Sequence, residues 1–372
     1  MTNIALISPH KEVYSETFIK AHKDLLSGNI FYYYGGFSPT NLEDEGNIID
    51  KINIFTRAFR YYRYGEKNPY NLALKQSLKK NKIDVVLAEY GPTGNNVLSV
   101  CKSLKIPLIV HFHGYDAHRL DILNKYGVAY RELFKYCSSI IAVSEYMRQA
   151  LITLGANKEK IILNPYGPNK CFSQVCPNPK NSQKIISIGR FVDKKAPYYN
   201  ILVFKEIIKK YPAARLVMVG DGPLLNTCIN LAKLYGLSKN IVFPGILTTQ
   251  KIIEELADVR FFIQNSIVAL DGDSEGTPVG ILEAQAAGIP VLSTKHAGIV
   301  DAVIDGETGF LAEEHDIGKM LSFALHLLED DSLVEKMSIK AKQHIHDNYS
   351  IKKHIEVIDN LIKYAIHHKT EY

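Results

Sequence analysis

Short apolar runs alternate with longer segments of helical period along most of this chain. Ile4–Ser8, Val85–Glu89, Leu108–His111, Ile140–Val143 and Ile161–Leu163 read as strands, being brief and rich in branched aliphatic residues. Between them, Glu16–Leu26 and Glu145–Leu154 follow a helical period. Strand and helix in alternation predict a parallel sheet covered on both faces. The rhythm stops at NPYGPNKCFSQVCPNPKNSQ, residues 164–183, whose four prolines and many asparagines mark a linker. It then restarts with strands expected at Ile185–Ile188, Arg215–Val219, Ile241–Phe243, Phe261–Gln264 and Pro290–Ser293. The final stretch puts Ile351, Ile355, Ile358, Ile362 and Ile366 on one face of a helix. The pattern thus predicts two α/β domains over residues 1–170 and 171–350, and a terminal helix over 351–372. Two such domains facing each other would leave a ligand cleft at the carboxyl ends of their strands.

Composition narrows the class without changing this picture. A chain of 372 residues is too long for one ordinary core. Its 46% hydrophobic and 22% charged content is that of a soluble globular protein, and a net charge of +5 is too small to point to nucleic acid. Cys101, Cys137, Cys171, Cys176 and Cys228 match no zinc or redox spacing, so free thiols in a reducing cytoplasm are expected. The first residues have no signal-peptide pattern, and no apolar run reaches the roughly 18 residues of a membrane span. A cytoplasmic protein is expected, one that could still sit on a membrane surface.

The densest chemistry lies in SIVALDGDSEGTPVGILEAQAAGIPVL, residues 266–292. Thr277 has the chemistry of a helix N-cap and Pro278 suits the first helical position. The helix should run to Ala287 and stop at Gly288. Its open N–H groups, from Val279 and Gly280, form a ready anion site. Glu275 and Glu283 lie roughly 9 Å apart along such an axis. That is too far to share a proton or a metal, so each would contact a different part of an extended ligand. A capped surface helix with two exposed glutamates is the plain alternative. Asp271 and Asp273 are assigned to the approaching loop, with no metal.

SIGRFVDKKAP suggests a second anion site, with Arg190, Lys194 and Lys195 following a strand end. VGDGPL lacks the third glycine of a dinucleotide fingerprint. In LIVHFHGYDAH, His111, His113, Asp116 and His118 end a strand. They read as a turn capped by Asp116 or as a ligand-facing histidine oriented by Asp116, and three histidines so close are not a standard zinc spacing.

Together these motifs resemble the retaining glycosyltransferases of family 4, with the GT-B fold. The glutamate motif EGTPVGILE, the GRFVDKK segment, VGDGPL, IVFPG and SETFI carry the likeness in order along nearly the whole chain. SETFI is similar to the subgroup that builds bacterial exopolysaccharide and O-antigen. The resemblance implies an acceptor-binding first domain, a nucleotide-sugar-binding second domain and a terminal helix that crosses back to the first. It implies that Arg190 and Lys195 neutralise the donor diphosphate and that Glu283 binds the ribose hydroxyls. Glu275 would hold the sugar, and the backbone of Gly276, Thr277, Pro278 and Val279 would touch sugar and phosphates. His113 would face the anomeric carbon, with Asp116 beside it. The base would lie near Gly245 and Ile246, and Ser15 and Glu16 would line the acceptor side. Ala196, Ala297 and Asp301 depart from residues usual in the family, which has glycine at the first two positions and glutamate at the third.

The implied reaction is hexosyl or N-acetylhexosaminyl transfer from a nucleotide sugar, UDP-linked by base rate, without metal or other cofactor. The acceptor would be a glycan or a lipid-linked glycan. The stretch Lys51–Lys82 has nine basic residues against Glu66, with Phe55, Phe59, Tyr61, Tyr62 and Tyr64 interleaved, and suits an anionic membrane surface or a solvated helix with its aromatics in the core. Another GT-B enzyme, such as a nucleotide-sugar epimerase or a disaccharide synthase or phosphorylase, is the alternative. A non-catalytic nucleotide-sugar binder is a third reading.

Overall fold

The computed structural model describes residues 1–11, 13–14, 16–51 and 69–368. Chain contacts divide it into two units, Met1–Asn164 with Lys352–Tyr372, and Pro165–Ile351. The terminal segment therefore belongs to the first unit.

The first unit is built on strands β1 (Asn3–Ile7), β2 (Asn29–Tyr34), β3 (Asn41–Leu42), β4 (Gly46–Asn47), β5 (Val85–Glu89), β6 (Leu108–His111), β7 (Ser139–Ala142) and β8 (Ile161–Leu163). They form one sheet in the order β4-β3-β2-β1-β5-β6-β7-β8. β1 pairs in parallel with both β2 and β5, and the parallel pairing continues through β8. Only the short β3 and β4 add antiparallel pairs at one edge. β1, β5 and β6 are buried at nearly every position, as strands covered on both faces must be.

The second unit has a fully parallel sheet of β9 (Lys184–Ile188), β10 (Arg215–Val219), β11 (Ile241–Gly245), β12 (Val259–Gln264), β13 (Val291–Thr294) and β14 (Gly309–Ala312). Their order is β11-β10-β9-β12-β13-β14. Each unit thus has a switch point, where successive crossovers leave in opposite directions. It falls between β1 and β5 in the first unit and between β9 and β12 in the second. Parallel α/β sheets bind ligands beyond the carboxyl ends of such strands.

β2 and β14 escape the sequence pattern. NIFYYY is a run of aromatics with no clear alternation, and GFLA is too short to stand out. The helix Ile351–His367 forms as its periodicity predicts, but its buried face is His354, Ile355, Ile358, Ile362 and Ala365. Each of its three buried isoleucines contributes at most about 1.5–3 kcal/mol. A histidine inside that stripe is the feature the pattern does not explain.

Candidate functional site

In the second unit the polar groups gather beyond β9 and β12. After β9 the chain turns through Gly189, where a Cβ would lie 3.0 Å from the Lys195 side chain. A short 3-10 turn, Asp193–Lys195, then delivers two lysines. Lys195 Nζ lies 3.0 Å from Glu275 Oε1 and donates to Gln264 Oε1 at 3.3 Å. Lys194, itself buried, donates to Asp273 Oδ1 and to the Ser274 carbonyl, both at 3.0 Å. The Glu275 N–H donates to His296 Nε2 at 3.1 Å, and the other ring nitrogen of His296 lies 2.6 Å from Glu314 Oε1. Burial alone would raise the Glu275 pKa, but Lys195, Lys194 and His296 override it and hold the carboxyl near 2. Burial also lowers the Lys195 pKa, against the pull of Glu275. Arg190 is exposed on the same turn.

The helix expected from Pro278 onward spans Val279–Ala286. Pro278 is its N-cap rather than its first residue, because its ψ of 86° is not helical while its carbonyl accepts from Ile281 and Leu282. Thr277 therefore sits one residue too early to cap, and no side-chain cap forms. Gly288, at φ 79°, ends the helix as expected. Gly280 lets the first turn approach β9: a Cβ there would meet the Ile188 carbonyl at 2.9 Å. The open N–H groups of that first turn belong to Val279 and Gly280. Among the described residues no cation pairs with Glu283, which is half-buried on this helix, and burial raises its pKa to about 8. The two motif glutamates therefore sit in opposite electrostatic settings.

The other glycine turn acts internally. A Cβ on Gly220 would reach the Gly189 carbonyl at 2.0 Å, and one on Gly222 would reach the Phe191 carbonyl at 2.6 Å. The VGDGPL glycines thus admit the neighbouring turn, which explains why they need no dinucleotide. Gly245 takes a positive φ of 74° in open space, and Ile246 is half-exposed beside it. Asp271 and Asp273 form a tight turn, the Asp273 N–H donating to Asp271 Oδ1 at 3.0 Å. Ala196 and Ala297 both take left-handed conformations, φ 34° and 42°, which is the physical reason glycine suits those positions.

In the first unit a carboxylate ends β5. Glu89 is buried, and its two oxygens lie 2.7 Å from His22 Nδ1 and 2.7 Å from His113 Nε2. His22 Nε2 lies 2.8 Å from His354 Nε2, and His111 Nδ1 is 3.6 Å from Glu89. Burial raises the Glu89 pKa, with the His113 hydrogen bond opposing it, and lowers that of His22 to about 3. The His113 ring also stacks on Phe18, centroids 4.6 Å apart. Asp116 does not orient that ring. Its oxygens accept backbone N–H groups from His113, Gly114 and Gly91 at 2.9–3.0 Å, so it fixes the turn, and Glu89 holds the imidazole. His118 stacks on Tyr146 instead of joining the cluster. Glu16 accepts from Tyr90 Oη at 2.8 Å. Ser15 and most of the basic aromatic stretch, residues 52–68, lie outside the described residues. Lys51 and Lys80 at its margins pair with Glu45.

Sequence reasoning missed Glu89, His22, His354 and His296. The available signal was weak: a carboxylate closing an apolar strand, and histidines on the apolar stripes of two helices.

Two α/β units on largely parallel sheets, each with a switch point, are the architecture of the GT-B fold. Residues 33–168 match the family model described as Glycosyltransferase Family 4, and residues 172–344 match Glycosyl transferases group 1. The chain belongs to family 4 and is a glycosyltransferase enzyme. It is similar to the amylovoran biosynthesis glycosyltransferase AmsK of Erwinia amylovora, 27% identical over 305 residues, covering 79% of this chain and 74% of that one. Among solved structures, HepE of Anabaena in complex with UDP aligns with a TM-score of 0.78 at 15% identity, over 98% of this chain and 100% of that chain. TarM of S. aureus aligns with a TM-score of 0.65 at 19% identity, over 79% of this chain. The chain spans only 59% of TarM, less than two thirds of its length. No helix among the described residues is long and apolar enough to cross a membrane.

Proposed function

We propose that this enzyme moves a hexosyl or N-acetylhexosaminyl group from a UDP-sugar to a lipid-linked glycan, with retention of anomeric configuration, in the synthesis of a bacterial surface polysaccharide. The observation that carries the reading is the Lys195–Glu275 pair, 3.0 Å apart, beside the helix start at Val279. HepE and TarM were solved with UDP, and AmsK is named for amylovoran biosynthesis, which supports the donor and the product class.

In the proposed reaction the bond between the anomeric carbon and the donor phosphate breaks, and a bond from the acceptor hydroxyl oxygen forms on the same face. The acceptor proton passes to the departing phosphate oxygen. Negative charge grows on the diphosphate, where Arg190, Lys195 and the open N–H groups of Val279 and Gly280 stabilise it. Glu275 holds sugar hydroxyls and keeps Lys195 in place until the donor arrives. Glu283 accepts the ribose hydroxyls, and the base rests near Gly245 and Ile246. These cations take the place of a divalent ion, so transfer needs no added metal. The membrane surface is reached through the basic residues of 51–82.

Thermal shift with UDP, GDP and ADP, followed by NMR of the product's anomeric proton, tests the reading. Stabilisation by UDP and a retained configuration are expected, and an inverted product or preference for another base overturns it. Conversion of donor in the absence of acceptor would instead favour an epimerase.

A further inference from the structure

The first unit buries more histidine than its transfer chemistry uses. His22, His111 and His354 come from a helix, a strand end and the terminal helix, and all three are almost fully buried. One ring nitrogen from each lies within 4.8 Å of those of the other two. Their ring centroids are 5.2 Å apart for His22 and His111, 5.1 Å for His22 and His354, and 5.7 Å for His111 and His354. Three imidazoles aimed at one tetrahedral ion, with bonds of roughly 2.0–2.1 Å, hold their centroids about 5 Å apart. The match is close before any side chain moves. The 2.8 Å contact between His22 Nε2 and His354 Nε2 is tighter than the roughly 3.3 Å such bonds impose. Rotation of either ring, with the shared proton released as the ion binds, opens the space.

Glu89 completes the arrangement. As a carboxylate it accepts from His22 Nδ1, which leaves His22 Nε2 as a lone-pair donor facing His354 Nε2. Carboxylates fix the ring tautomer of metal-binding histidines in this way. Among the described residues, the groups paired with the buried Glu89 are imidazoles and no lysine or arginine, so a divalent cation beside it supplies positive charge.

We propose that His22, His111 and His354 bind a divalent transition-metal ion of the zinc type, with Glu89 as the group that positions His22. The ion would join residues 22, 111 and 354 and so pin the terminal helix to the first unit. Its role is structural and separate from the transfer chemistry assigned to the second unit.

The test uses the full chain, free of any affinity tag, stripped of metal and then titrated with Co2+ and Zn2+. One Co2+ per chain with the visible absorption of tetrahedral cobalt is expected, together with a rise in melting temperature on adding Zn2+. Glu89→Gln should weaken metal affinity about 10- to 100-fold. His354→Asn should abolish the cobalt spectrum, whereas His367→Ala, on the exposed end of the same helix, should leave it unchanged. Circular dichroism separates lost binding from lost folding. If His354→Asn does not fold, the wild-type spectrum and stoichiometry still decide the matter. Absence of a tetrahedral cobalt spectrum in the folded wild type, or its survival in folded His354→Asn, overturns the proposal and leaves a hydrogen-bonded histidine core.

Discussion

Glu89 and Glu275 are both buried carboxylates near the carboxyl end of a parallel strand at a switch point, yet the two units surround them differently. Glu275 meets amines: Lys195 directly, with Lys194 close by. Glu89 meets imidazoles, two at 2.7 Å, whose own pKa values burial depresses. An amine keeps its charge, so the second unit holds a fixed ion pair whose lysine can turn to an incoming phosphate. Buried neutral imidazoles supply hydrogen bonds but little charge. The first centre therefore holds its acid by geometry and the second by charge.

Breaking the amine-held centre should have the largest effect. Glu275→Ala strands Lys195 in a buried site, and loss of one partner of such a pair costs about 3–5 kcal/mol. Denaturant unfolding of this variant measures that cost. Turnover with a UDP-sugar should fall by about 100-fold or more in Lys195→Ala, as for removal of a group that stabilises developing charge. Unchanged activity there would remove Lys195 from the site. The imidazole-held centre should break more gently. Glu89→Ala orphans donors on His22 and His113 without stranding a full charge, at about 1–3 kcal/mol. If Glu89→Ala costs as much as Glu275→Ala, the contrast between charge and geometry fails.

The half-buried Glu283 sharpens the comparison through pH. Its folded pKa of about 8 stands above its ordinary value of 4.5, so the folded state holds the proton more tightly. Its contribution to stability is fully present below pH 4.5 and is lost as pH rises through 8. Glu275 has the opposite sign: its contribution is present above 4.5 and lost as pH falls toward 2. Glu283→Gln should flatten the fall of melting temperature across the upper window and leave the acid side unchanged. The smallest effect belongs to the strained turn beside Lys195. Ala196 at φ 34° should gain about 1 kcal/mol on replacement by glycine, read as a higher melting temperature.

Much of the second unit's site could be read from the residues because its parts are local. GRFVDKK and EGTPVGILE each place their chemistry within one turn of a strand end or a helix start, so spacing along the chain reports spacing in the fold. Even there the pattern set the cap one residue too early, since it took Pro278 as already helical. His296 and Gln264 join the site from other strand ends, and no spacing announces them. The first unit's centre was hidden more completely. His22 and His354 are 332 residues apart, and each looks like an ordinary member of an amphipathic helix.

Local periodicity by itself determined two α/β units, a terminal helix and the helix that follows Glu275, because these follow from side-chain direction and capping within a few residues. Strand order, and with it the switch points, came only from the tertiary structure, since parallel strands are joined by crossovers that a linear pattern cannot order. The same holds for the environment of each buried charge. Glu275 and Glu283 are identical residues eight positions apart, and their pKa values diverge because lysines packed from another loop reach one and leave the other alone.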